Sequence, residues 1–206
     1  MTLSVRLNQA LTAMGLEIGS EVQARLLDYL ALLGKWNKTY NLTAIHEPER
    51  MLTHHLLDSL ATLSYVTADR LLDVGSGAGL PGIPLALARS DMQVTLMDAS
   101  HKKCAFMQQA VIDLKLANVA VVQGRVEDMN LDGKFPQIIS RAFSDLSEFV
   151  RLSASLLAPG GEWLAMKGLY PNEEIAQLKG AQLRRDVKLQ VPGLEAERHL
   201  IVLGAA

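Results

Sequence analysis

Cysteine is almost absent from this chain. Cys104 is the single thiol among 206 residues, which excludes an intramolecular disulfide and leaves no thiolate set for a metal cluster. Long apolar runs are missing as well: nothing approaches the roughly 20 residues that a membrane-spanning helix needs. The opening residues, MTLSVRLNQALTAMG, carry no basic start, no long apolar block and no cleavage site, so they do not read as a signal peptide. The expectation is a cytoplasmic protein without membrane contact and without a metal. Excess charge is lacking too. Lys and Arg number 20 against 22 Asp and Glu, a net −2, so no global basic field advertises nucleic acid, and any such contact rests on local patches. The sequence shows no repeats, low-complexity segments or long linkers.

What the chain does have is apolar residues, 49% of the total, enough for one compact core with a small appendage. Residues 1–66 read as a helical extension. Leu3, Leu7, Leu11 and Met14 recur at helical spacing, with Gly15 as a C-cap. Ser20 is placed to cap a second helix that shows Val22, Leu26, Tyr29, Leu30 and Leu33 on one face and ends near Gly34. A third starts near Pro48 and carries Met51, His55, Leu56, Ser59 and Leu63. KWNKTYNLTAIHE, between them, reads as irregular. In residues 67–206 short β-rich runs alternate with helical stretches, the runs being 71–74, 94–97, 119–122, 137–140, 163–166, 187–191 and 200–203. That alternation predicts an α/β fold with a seven-stranded, mostly parallel sheet. PGLEAER leaves no room for a crossover helix between the last two runs, so they are expected as an antiparallel hairpin. The helical extension and the sheet are expected to pack as one unit.

The most informative stretch is LLDVGSGAGLPGIP, residues 71–84. Gly75, Gly77 and Gly79 follow an apolar strand, and Pro81 and Gly82 open the next helix. Such a turn lets a ligand approach the backbone, and the helix start beyond it favours an anionic group. A dinucleotide fingerprint requires G-x-G-x-x-G, but Leu80 stands where the third glycine belongs. Asp73 at the strand end would repel a pyrophosphate and would suit a ligand with an ammonium group. S-adenosylmethionine carries one, together with a carboxylate for the loop amides. Asp98 ends the second strand about 20 residues on, where an acid accepts the ribose hydroxyls of an adenosine.

Ligands of open parallel sheets bind beyond the carboxyl ends of the strands. Those ends carry Asp73, Asp98, the segment 123–127, Ser140 with Arg141, and Lys167. GRVED (124–128) is placed to meet an adenine, with Glu127 or a neighbouring amide near its amino group. Arg141 sits where substrate and methyl donor should meet and is the best candidate for positioning them. Basic residues available to RNA are Arg125, Arg141, Lys167, Lys102, Lys103, Arg198 and His199, with Lys35, Lys38, Arg50, His54, His55 and His101 as further possibilities; Arg125, Arg141 and Lys167 lie closest to the chemistry and best suit the RNA phosphates or the guanine. Trp36 and Tyr40 suit core packing better than base stacking. His54 and Asp58, one helical turn apart, suit a structural hydrogen bond, and Cys104 suits packing.

At this point the sequence resembles a known family, the bacterial small-subunit ribosomal RNA methyltransferases of type G, formerly called glucose-inhibited division protein B. The resemblance is carried by KWNKTYNLT (35–43), HHLLDSL (54–60), LLDVGSGAGLPGIPLA (71–86), ISRAFSDL (139–146), MKG (166–168) and ERHLIV (197–202). It implies a Rossmann-like methyltransferase sheet of the class I, S-adenosylmethionine-dependent kind, with a helical N-terminal extension. It further implies methyl transfer to N7 of guanine 527 in 16S ribosomal RNA, with that RNA, the small ribosomal subunit or its precursor as partner. Carried onto this chain, the family's cofactor contacts fall on Gly75, Leu80, Val126, Glu127 and Arg141. Gly77, Gly79 and Asp98 join them from the loop and ribose arguments alone.

Guanine N7 has a lone pair and no hydrogen, so methylating it calls for no general base. Alignment of the reactants can itself supply about 7–11 kcal/mol. The chain also lacks an N/D-P-P-Y/F/W stretch, as adenine-N6 chemistry would use, and a Pro-Cys nucleophile for cytosine C5. Structured RNA hides N7 in a narrow groove, so the target should be an unpaired or splayed base. The competing reading is a methyltransferase that uses the same donor on another RNA or a small molecule.

Overall fold

The computed structural model describes residues 1–129, 133–141, 143 and 145–206; Ala142 and Ser144 of the 139–146 stretch lie outside the described residues. In chain order the elements are α1 (Leu3–Ala13), α2 (Ser20–Tyr40), α3 (Pro48–Met51), a π-helical turn (Leu52–Leu57), α4 (Asp58–Leu60), β1 (Arg70–Val74), α5 (Gly82–Ala88), β2 (Gln93–Asp98), α6 (His101–Asp113), β3 (Val119–Gln123), β4 (Phe135–Ser140), α7 (Leu146–Ser153), β5 (Leu157–Lys167), α8 (Asn172–Ala176), β6 (Ala181–Lys188) and β7 (His199–Ala205).

The strands form one seven-stranded sheet in the order β3-β2-β1-β4-β5-β7-β6. β1 to β5 pair in parallel. β7 runs antiparallel to both β5 and β6, as the short PGLEAER connection requires. Strand order reverses between β1 and β4, and such a reversal opens a crevice beyond the strand ends. Side chains alternate between faces along each strand. Leu71, Ile139 and Leu164 join the apolar cluster that also holds Leu7, Leu26, Leu33 and Leu56. Leu72, Ile138 and Ala165 join the one built on Leu146 and Phe149 of α7. Both faces are covered, which is why these strands read as continuous apolar runs.

The N-terminal helices lie over α5 and α6, and one apolar cluster crosses residue 66. The Tyr29 hydroxyl donates to the Ala78 carbonyl in the glycine turn at 2.7 Å. Trp36 packs edge-on against Phe106 of α6, with ring centroids 5.6 Å apart. Tyr40, its ring tilted 32° against that of Trp36, remains exposed.

Three sequence expectations need correction. α2 does not stop at Gly34 but continues to Tyr40. An interior glycine costs only about 1 kcal/mol, and the burial of Leu33 and Asn37 and the packing of Trp36 outweigh it. Gly19, not Ser20, is the N-cap, without a side-chain bond. The sixth strand is Ala181–Lys188 rather than 187–191. It is the sheet's edge, mostly exposed, and so lacks the apolar alternation that marks a strand.

Candidate active site

The turn after β1 is stitched together by its own backbone. Gly75, Gly77 and Gly79 all have positive φ, at 71°, 61° and 83°. The amides of Gly75 and Ser76 donate to the Met97 carbonyl at 2.8 and 2.9 Å, and those of Gly79 and Leu80 donate to the Ser76 carbonyl at 2.8 and 2.9 Å. Gly77 N–H donates to Asp98 Oδ2 at 2.9 Å. Five amides of the turn, those of Gly75, Ser76, Gly77, Gly79 and Leu80, are thus engaged within the protein. The Leu80 side chain is buried, so any ligand contact at this position involves backbone.

Asp73 lies wholly beneath the turn, where its Oδ2 accepts from Gly82 N–H at 2.8 Å, and its Oδ1 has no hydrogen-bond partner among the described residues. The Gly82 bond ties the turn to α5. Burial pushes its carboxyl up to about 7, against the opposing pull of the Gly82 N–H and the Arg141 charge. The folded state thus keeps a proton that the unfolded chain, titrating near 3.8, has released. Stability from this group falls as pH rises from about 4 to about 7. His55 works the other way. Burial and the Arg141 charge hold its imidazole down to about 4, so stability from His55 falls as pH drops through the same region. Asp73→Asn should remove the first effect only. Its stability relative to wild type, measured by urea unfolding, should rise with pH between about 4 and 7 and level off above.

A cavity of about 320 Å³ opens beside the turn, lined by Val74, Gly75, Asp98, Gly124, Val126, Glu127 and Phe143 among others. Of the sequence-derived donor residues, Gly75, Asp98, Val126 and Glu127 line this cavity; Gly77, Gly79 and Leu80 do not, and Arg141 lines a second one. Asp98 is held by two amides, Gly77 N–H and Ser100 N–H, the second at 2.8 Å. Lys103 Nζ stands 3.8 Å from its Oδ2. Val126 is buried, while Glu127 pairs loosely with exposed Arg125 at 3.8 Å. The chemistry fits an adenosine: apolar walls for the purine and a fixed carboxylate for the ribose. The Cys104 thiol is buried and donates to the Asp98 carbonyl at 3.2 Å, a packing role.

A second cavity of about 310 Å³ lies over the ends of β4 and β5, lined by Ile45, His54, His55, Asp58, Arg141, Met166, Lys167, Gly168 and Arg198. Arg141 Nη1 donates to the His54 carbonyl at 3.3 Å and approaches Asp58 Oδ2 at 3.4 Å. Arg198 Nε donates to Asp58 Oδ1 at 2.9 Å. Lys167 Nζ is 2.7 Å from Glu174. The expected His54–Asp58 bond does not form. The π-helical turn winds through i→i+5 bonds, which takes residues four apart out of line, and His54 Nδ1 lies instead 3.1 Å from the Arg50 carbonyl. Sequence reasoning missed Asp58 as the partner of both arginines. The lone acid among the leucines of HHLLDSL was the available signal, because a buried charge needs a counter-charge.

Other candidates lie apart from this cavity. His199 is buried and pairs with Asp186 of β6 at 3.0 Å. Lys102 is exposed and donates to the Tyr40 carbonyl at 3.0 Å. Among the described residues, no group of three or more His, Cys, Asp or Glu is placed to hold a metal, and no helix is long and apolar enough to cross a membrane.

Comparison with known proteins agrees with this architecture. Solved structures of similar fold include an S-adenosylmethionine-dependent methyltransferase from Aquifex aeolicus, 19% identical with TM-score 0.60 over 76% of this chain and 93% of that one. Another is the glycopeptide N-methyltransferase MtfA complexed with S-adenosylhomocysteine, 12% identical with TM-score 0.63 over 74% of this chain and 87% of that one. At such identity they establish the fold. Whole-length relatives are much nearer. The ribosomal RNA small subunit methyltransferase G of Laribacter hongkongensis is 54% identical over 205 residues, covering 99% of each chain. That of Nitrosospira multiformis is 50% identical over 214 residues, covering 100% of this chain and 99% of the relative. The family model described as rRNA small subunit methyltransferase G matches residues 22–201. With most of its length matched by that model and by these relatives, the chain belongs to the rRNA small subunit methyltransferase G family.

Proposed function

We propose that this protein transfers the methyl group of S-adenosylmethionine to N7 of guanine 527 in 16S ribosomal RNA. The observation that carries this reading is the adjacency of two unlike cavities on one sheet edge. The first has the glycine turn, Asp98 and apolar walls; the second is lined by Arg141, Arg198 and Lys167. The bound donor supplies an electrophilic methyl group. Asp98 holds the ribose, and Val126 with the Glu127 segment flanks the adenine. Arg141 lines the second cavity, on the substrate side of this edge.

The second cavity suits a nucleophile that has no proton to lose. Asp58, its buried carboxylate, is occupied by two guanidinium groups. The Nε2 of His55 is 2.8 Å from Thr43 Oγ1. Guanine N7 requires no proton acceptor, so neither group is called on as a base. Methylation leaves a cation on the base, so the contribution of these residues is orientation and exclusion of water. The reading places the protein in the cytoplasm, with the small subunit or its precursor as partner.

The test is a single-nucleotide map of methylation on 16S RNA, naked and in small subunits, after incubation with the protein and labelled donor. The reading expects one modified guanine, at 527. Label confined to small metabolites, or to another RNA, would move the assignment to a different substrate of the same chemistry. Arg141→Ala should lower kcat/KM by about 10- to 100-fold, the worth of one or two charge-assisted hydrogen bonds. Asp58 keeps Arg198 in that variant, so its melting temperature should stay within a few degrees of wild type. An unfolded variant would make Arg141 a structural residue.

A further inference from the structure

Arg141, Asp58 and Arg198 come from three separate parts of the chain. Arg141 follows β4, Asp58 opens α4, and Arg198 precedes β7, 140 residues from its partner. The Asp58 side chain is 3% exposed, whereas those of Arg141 and Arg198 are 30% and 23% exposed. One buried carboxylate therefore sets two partly open guanidinium groups against the same cavity. Stability is a weak explanation for such a triad, because apolar residues of similar volume generally serve a fold as well. What the triad alone supplies is two planar forks at a fixed spacing.

The forks are not fully used. Arg141 spends Nη1 on the His54 carbonyl and Asp58. Arg198 spends Nε on Asp58 and Nη1 on the Glu197 carbonyl, the latter at 2.8 Å. Among the described residues, Nε and Nη2 of Arg141 and Nη2 of Arg198 have no protein acceptor. The charges do not balance either. Arg141, Arg198 and Lys167 face Asp58 and Glu174, which leaves one positive charge over at this wall. Unused guanidinium N–H groups with a surplus charge match a tetrahedral oxyanion, which arginine forks bind through paired hydrogen bonds.

We propose that Arg141 and Arg198, held by Asp58, form a clamp for one phosphodiester of the RNA beside the target base, with Asp58 as a positioning residue. The clamp rests on the reading of this edge as an RNA methyl-transfer site. It accounts for a cavity that gathers two arginines and a lysine, and it divides labour with the neighbouring cavity, where the donor lies. A splayed nucleotide needs its backbone fixed as well as its base, and a clamp beside the methyl group does that.

The experiment compares Arg198→Ala, Arg198→Lys and Asp58→Asn with wild type in three measurements. These are the salt dependence of binding to naked 16S RNA, KM and kcat for its methylation, and calorimetric affinity for S-adenosylhomocysteine. Arg198→Ala should reduce the slope of log K against log salt by about one, the signature of one lost phosphate contact. Arg198→Lys should keep that slope yet raise KM about tenfold, since an ammonium cannot replace a fork. Asp58→Asn should leave overall RNA affinity equal or higher, because an anion is gone, and should lower kcat about tenfold, because the two forks lose their fixed spacing. Donor affinity should stay within twofold for both Arg198 variants. A wild-type KM in Arg198→Lys would reduce the site to a simple point charge and overturn the clamp. A loss confined to donor affinity would assign the triad to the donor instead and overturn it equally. If Asp58→Asn fails to fold, Arg198→Lys decides the matter alone. Failure of wild type to methylate 16S RNA would instead strike the underlying reading, so the two failures are distinguishable.

Discussion

Gly77→Asp should lower the affinity for S-adenosylhomocysteine at least a hundredfold while leaving the protein folded. Gly77 has φ +61°, and an added Cβ would meet nothing nearer than the Gly75 carbonyl at 4.0 Å. The atom itself therefore fits. Aspartate is among the few side chains that visit this left-handed region, at a cost of about 1–2 kcal/mol. The damage is electrostatic. Gly77 N–H already donates to Asp98, so the new carboxylate would sit beside Asp98 and beside the donor's own carboxylate. Two such charges about 5 Å apart repel by roughly 3 kcal/mol at an effective dielectric near 20. That corresponds to a few hundredfold in affinity. Calorimetry checks the affinity and a thermal melt checks the fold, with Gly77→Ala as the uncharged control. An affinity within twofold of wild type would remove the donor's amino-acid tail from the turn.

Gly82→Ala should do the opposite and strike the fold first. Its backbone conformation is ordinary; space is what is missing. An added Cβ would overlap the buried Leu96 side chain and stand 2.8 Å from Asp73 Oδ2. Overpacking of this kind costs about 1–3 kcal/mol. The displaced Asp73 would also lose the Gly82 N–H, its one hydrogen bond among the described side-chain contacts, at a further 1–3 kcal/mol or so. A total near 4 kcal/mol corresponds to a drop in melting temperature of roughly 8–16 °C for a chain of this size. Differential scanning calorimetry reads it directly. A melting temperature within two degrees of wild type would mean that Leu96 and Asp73 move aside freely and that the turn is looser than its hydrogen bonds imply.

These two glycines show what a sequence reader can and cannot see. The strand–turn–helix of residues 71–84 is local, so its spacing could be read without the fold, and so could the acid that ends β2. The parallel strands were legible for a similar reason: burial on both faces makes each an unbroken apolar run. β6 was misplaced because an edge strand is mostly wet and looks like a loop. α2 ran past Gly34 because tertiary packing overrides one residue's propensity. Asp73 was seen as an acid at a strand end, but its depth beneath the turn is a three-dimensional property. The Asp58 pairings span 83 and 140 residues, and no periodicity in one sequence encodes such a distance.

The bond from the Tyr29 phenol to the Ala78 carbonyl has a consequence for how the protein tolerates change. The helical layer grips the glycine turn from behind, as a splint grips a joint. Trimming the chain to its sheet would therefore leave that joint unsupported. Substitutions deep in the second helix, remote from any reactant, belong among those that weaken hold on the methyl source.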